Sequence, residues 1–151
     1  MISADMISLT PAGKSWLKWD GRCWYINQRW EAHICTSSYE FHLVINPLFI
    51  SDGGTIPDAL QNIISPLGKY LLAFIIHDAL YGIQLCTRAE ADWILLDLLD
   101  YLGASWWVRN QVWLVIKIGG SFAWNNKSKK LIEHNRKLIE FEAVKGFESL
   151  K

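Results

Sequence analysis

The hydrophobic pattern of this chain changes period once, near Pro57, and that change constrains the fold more than any other feature. Before it, residues 14–51 read as β structure: residues 14–19 alternate imperfectly, Asp20-Gly21 is a hairpin-type turn, and residues 39–45 are rich in aromatic and β-branched side chains. Phe41, Leu43 and Ile45 share one face of that last segment and His42, Val44 and Asn46 the other, which puts His42 on an outer face. After Pro57 the spacing is helical, with Pro57 suited to a first turn and Thr55 or Asp52 placed to cap it. Residues 68–81 form an apolar run that predicts a buried helix stopped by Gly82, and Thr87-Arg88-Ala89-Glu90 matches a capping box opening a helix over 87–102. A further helix is predicted over 105–118, ended by Gly119-Gly120. An amphipathic helix should fill 127–151, with Leu131, Leu138, Phe141 and Val144 on its apolar side. The expectation is an α+β single domain over residues 1–151, a small N-terminal antiparallel sheet followed by a C-terminal cluster of about four to five helices.

A chain of 151 residues, 51% of them hydrophobic, can bury a core without disulfides or a structural metal. Fifteen basic and fifteen acidic side chains cancel, so no general affinity for nucleic acid or an anionic membrane surface is expected. Cys23, Cys35 and Cys86 are odd in number and lack C-x-x-C spacing, which points to reduced thiols. There is no basic, then apolar, leader pattern at the N-terminus and no run long enough to span a membrane, so a soluble protein in a cytoplasm is expected.

Three polar islands interrupt the apolar chain: residues 52–57 (Asp-Gly-Gly-Thr-Ile-Pro), His77-Asp78-Ala79-Leu80-Tyr81 and Arg88-Ala89-Glu90-Ala91-Asp92. Ionisable groups in such surroundings are costly to desolvate unless paired, metal-bound or used in chemistry. The short link between Gly82 and Cys86 makes the two helices that carry the later islands antiparallel neighbours, with His77 and Asp78 near the end of one and Asp92 near the start of the next. A histidine and a carboxylate can therefore meet across their interface. Ala73, His77 and Tyr81 share one line on the first helix, and Arg88 and Asp92 share a face with Leu95, Leu96 and Leu99 on the second.

Two readings of this constellation stand side by side. In the functional one, Asp52, His77, Asp78 and Asp92 hold a divalent metal (zinc, manganese or magnesium) that activates water for hydrolysis, with Tyr81, Arg88 and Thr55 for substrate contacts; a metal-free version makes His77, oriented by Asp92, a general base. In the structural one, Asp92 bridges Arg88 and His77 to lock the helix pair, Asp52 stabilises a turn and caps a helix, and Asp78 faces water. The adjacent His77-Asp78 pair also occurs in metal-dependent phosphohydrolases of the HD type, but those need an upstream helical histidine, and His33 and His42 fall in the predicted sheet.

Nine tryptophans are a large share of this chain. Trp93, Trp106, Trp107 and Trp113 fall in predicted helices and are expected mainly to fill core, whereas Trp16, Trp19, Trp24 and Trp30 cluster in the sheet region as a core face or a contact surface. No phosphate loop, dinucleotide fingerprint, nucleophile elbow or DNA-binding module is present.

Phe49-Ile50-Ser51-Asp52-Gly53-Gly54-Thr55-Ile56-Pro57, His77-Asp78-x-x-Tyr81, Arg88-x-x-Ala91-Asp92 and the later Gly119…Trp124 pattern together resemble a phage and prophage family known as domain of unknown function 1353. The resemblance spans roughly residues 41–124, with Ser51, Gly54 and Thr55 where that family tends to show Thr, Ala and Ser. It implies a small protein of a tailed phage or prophage, in the cytoplasm of the infected host or in the virion, and carries over no reaction. The leading expectation is a metal-assisted hydrolase of cell-wall or nucleotide substrates. The alternative is a non-enzymatic virion, tail-assembly or host-factor-binding protein whose tryptophan-rich surface or C-terminal helix makes the contacts.

Overall fold

The structure, a computed structural model, describes residues 17–19, 24–26, 28–51 and 69–151. The first polar island, with Asp52, Thr55 and Pro57, and the turn at Asp20-Gly21 lie outside the described residues, as do Trp16 and Cys23. Among the described residues all strands but the last precede the helices, and the fold is α+β. Strands β1 (Leu17–Trp19), β2 (Trp24–Ile26) and β5 (Ile50–Ser51) form one antiparallel sheet in the order β1-β2-β5. A second antiparallel sheet, ordered β3-β4-β6, is built from β3 (Trp30–Cys35), β4 (Glu40–Ile45) and β6 (Ile139–Lys145). Among the described residues four α-helices follow β5: α1 (Leu71–Ile83), α2 (Arg88–Tyr101), α3 (Trp106–Asn125) and α4 (Lys129–Leu138).

Period-2 alternation decides the second sheet. Phe41, Leu43 and Ile45 of β4 are wholly buried, while His42 is turned outward and stacks on His33 of β3 with 4.3 Å between ring centroids. The buried face belongs to the same core as α1, which is apolar nearly all round, with Ala73, Ile75, Ile76 and Leu80 out of contact with water. Ile94, Leu95, Leu98 and Leu99 of α2 complete the same core.

Residues 127–151, expected as one helix, divide in two. A helix runs only over Lys129–Leu138, capped by the Ser128 side chain, and Ile139–Lys145 then joins the sheet beside β4. The reason is a local switch of period: Ile139, Phe141 and Ala143 alternate with Glu140, Glu142 and Val144, and the register sets Leu43 opposite Phe141. Phe141 packs against Phe41 and Phe147, whereas Leu131 and Val144 stay exposed.

Two glycine readings are also corrected. Gly82 lies inside α1, and the left-handed residue that ends the helix is Gln84, at φ 48°. Gly82 is needed for closeness: a β-carbon there would stand 2.9 Å from the Asn135 amide of α4, which donates to the Gly82 carbonyl at 3.2 Å. The next residue, Arg136, donates to the carbonyls of Ile83 and Gln84 at 2.7 and 3.2 Å, so α4 satisfies the open end of α1. Gly119 and Gly120 likewise sit within α3, which continues to Asn125.

Candidate functional site

The capping box at the start of α2 sets the site's geometry. Thr87 accepts from the Glu90 backbone N–H while the Glu90 carboxylate accepts from the Thr87 N–H at 2.7 Å, which fixes where the helix begins. One turn on, Asp92 faces α1, its side chain only 16% exposed. Three donors converge on it. His77 of α1 lies with Nε2 at 3.0 Å from Oδ1, the Tyr81 hydroxyl donates to the same oxygen at 2.6 Å, and Arg88 donates to Oδ2 at 3.4 Å. An ionised carboxylate only accepts, so Nε2 of His77 carries the proton in this contact.

α3 closes the cluster from the third side. A β-carbon at Gly120 would lie 2.8 Å from the Tyr81 hydroxyl and 3.1 Å from an Arg88 guanidinium nitrogen, so only glycine lets the helix approach. One turn later Trp124 meets the Tyr81 ring edge-on at 4.9 Å, and its carbonyl accepts from the Gln84 amide at 2.8 Å. Burial, and then the hydrogen bond to Asp92, raise the Tyr81 phenol well above its ordinary range, so it stays a donor.

His77, Tyr81, Arg88 and Asp92 thus come together, as their spacing implies. Asp78, adjacent in sequence, is turned elsewhere: its carboxylate accepts from the Ser51 hydroxyl of β5 at 2.5 Å. Asp52 and Thr55 lie outside the described residues. Among the described residues no three His, Cys, Asp or Glu side chains are grouped to hold a metal ion. Among the described residues His77 and Asp92 are engaged with each other and Asp78 with Ser51. Gly120, Trp124 and Gln84 were not among the residues singled out as candidates; the one signal for the first was a glycine pair within an otherwise helical apolar run.

The expectation that helical tryptophans mainly fill core is overturned. Trp106 is 77% exposed, and Trp93, Trp107 and Trp113 are also open to water. Among the described residues α3 touches the body of the protein along one narrow side, where Val112 and Gly120 are its buried residues, and many of its apolar side chains are exposed. No helix among the described residues is long and apolar enough to cross a membrane.

Cys86, in the α1–α2 link, makes a pH dependence of the same sign as that of the raised Tyr81 phenol. Burial, and secondly the nearby Glu90 charge, push its thiol up to about 12 from an ordinary value of 9.0. Between those values the unfolded chain releases a proton that the folded one keeps, so folding stability falls as pH rises through the window. The loss should reach on the order of 4 kcal/mol. Urea unfolding midpoints measured across the window should decline, and the decline should shrink in Cys86→Ala.

Fold and site together define a small α+β protein in which three helices meet around one half-buried aspartate. Residues 28–116 match the family described as "Protein of unknown function (DUF1353)", and the chain belongs to it. No curated protein and no solved structure matches the chain.

Proposed function

We propose that this chain is a non-enzymatic interaction protein of a phage or prophage, in which the Asp92 cluster is a structural lock that holds α3 with its apolar side outward for protein contacts. One observation carries the reading. The Asp92 carboxylate is engaged by His77, Tyr81 and Arg88 and roofed by α3, while large apolar side chains on that same helix, Ile118 and Phe122 at 75% exposure, face water. A catalytic carboxylate needs room for substrate beside it, and here the third side is filled by backbone.

A second reading keeps one specific support. Asp92 engages His77 through Nε2 alone, leaving Nδ1 to act as a general base oriented by the carboxylate. The two readings separate in a phage or prophage that carries this gene. His77→Asn removes any base but keeps a polar side chain against Asp92, so the lock reading expects particle yield to survive it at moderate temperature and to fall with Ile118→Glu. Loss of particles with a folded His77→Asn protein, and a tolerated Ile118→Glu, would overturn it.

A further inference from the structure

The outward face of α3 carries a repeat of its own. Steps of four and three residues join Trp107, Gln111, Leu114, Ile118, Ser121 and Asn125, the spacing of a helix-pairing seam, with Phe122 beside it. The helix is about 30 Å long, enough for more than two heptads. No charged residue falls on this line. Arg109 is committed to Asp100 at 2.9 Å, and the Lys117 ammonium lies 4.4 Å from the centre of the Trp113 ring, on the flank. A partner helix would therefore meet apolar and uncharged polar side chains throughout, at no cost of burying an unpaired charge.

The order of residues along the seam is self-complementary when reversed. With a two-fold axis between Leu114 and Ile118, Leu114 meets Ile118 of the second copy, Gln111 meets Ser121, and Trp107 meets Asn125 with Phe122 alongside. Apolar then faces apolar at the centre, and the amide of Gln111 finds a hydroxyl instead of a leucine. A parallel pairing sets Gln111 on Gln111 and Trp107 on Trp107, stacking the bulkiest and the most polar positions on themselves.

Area agrees with a dimer. At the roughly 150–250 Å² that an aromatic side chain covers, the exposed parts of Trp107, Leu114, Ile118 and Phe122 come to on the order of 500 Å², the larger part of the ~800 Å² that each partner gives to a standard interface, and Gln111, Ser121 and Asn125 add polar area. We infer that α3 pairs antiparallel with α3 of a second copy of this chain, making a two-fold dimer through Leu114 and Ile118. This rests on α3 being an interaction face, as in the function proposed above.

Light scattering on a sizing column and sedimentation equilibrium of the full chain should show a dimer at micromolar concentration. Ile118→Glu should weaken it by roughly thirtyfold or more while circular dichroism stays unchanged. Register is tested without destabilising the face: protein carrying Gln111→Cys, mixed with protein carrying Ser121→Cys and oxidised, should yield a 111–121 cross-link by peptide mapping. A monomeric wild type overturns the proposal, as does a dimer indifferent to Ile118→Glu, or a Gln111→Cys protein that cross-links through position 111 to itself. A monomeric wild type leaves the His77→Asn particle yield as it was, so this inference and the functional reading fail separately.

Discussion

Asp92→Ala should cost about 3 kcal/mol of folding stability and lower the melting temperature by roughly 6–12 °C, the largest effect of any single substitution in the site. The side chain is 16% exposed, and its removal strands the Tyr81 hydroxyl and the His77 Nε2–H, both buried, with no acceptor. Tyr81→Phe should cost less, about 1–2 kcal/mol, because it deletes donor and bond together and leaves the carboxylate two other partners. Arg88→Gln should cost least: the guanidinium is 37% exposed and its contact is long, at 3.4 Å. Urea unfolding of the three variants gives the order. An Asp92→Ala protein as stable as wild type would show that the cluster does not lock the helices.

The adjacent glycines of α3 should respond with opposite signs. Gly119→Ala should stabilise the protein by about 1 kcal/mol, since a β-carbon there meets nothing within 4 Å and alanine is the better helix former. Gly120→Ala gains the same propensity but drives its methyl against the Tyr81 hydroxyl at 2.8 Å and the Arg88 guanidinium at 3.1 Å. Both groups are tied to Asp92, so the methyl can be accommodated only by breaking or stretching those bonds or by moving α3 outward. A net loss of about 2 kcal/mol is expected, and Gly120→Val should lose more. Thermal unfolding of the two alanine variants under identical conditions settles it, and equal shifts would mean that α3 does not press on the cluster.

These two experiments bear on the same point. If the aspartate cluster is a joint between three helices, its variants should change stability together and should change the presentation of α3, and hence self-association, only through stability. A cluster used in chemistry would instead tolerate Tyr81→Phe in unfolding experiments while losing function.

Much of the scaffold was legible in sequence because its signals are local. The capping box at Thr87 and Glu90 marks the start of α2 within a residue, and the alternation through Phe41, Leu43 and Ile45 gives β4 and its buried face. The meeting of His77, Tyr81, Arg88 and Asp92 follows from helical spacing and a short link, both properties of neighbouring residues. The parting of Asp78 from His77 was not legible, since adjacent helical residues point about 100° apart and only the position of Ser51 says what lies there.

By itself the sequence determined where α2, α3 and β4 start, which residues are apolar, and that one histidine and one aspartate can face each other. Only the tertiary structure decided that Ile139–Lys145 is a strand, because its partner β4 lies some hundred residues earlier and no local preference names it. It decided that Gly82 and Gly120 serve close approach and do not end helices, since the groups they admit belong to other elements. And it decided that Trp106, Trp107 and Trp113 of α3 face water, because a pattern of apolar residues fixes how a helix is striped but not how much of it the rest of the chain is large enough to cover.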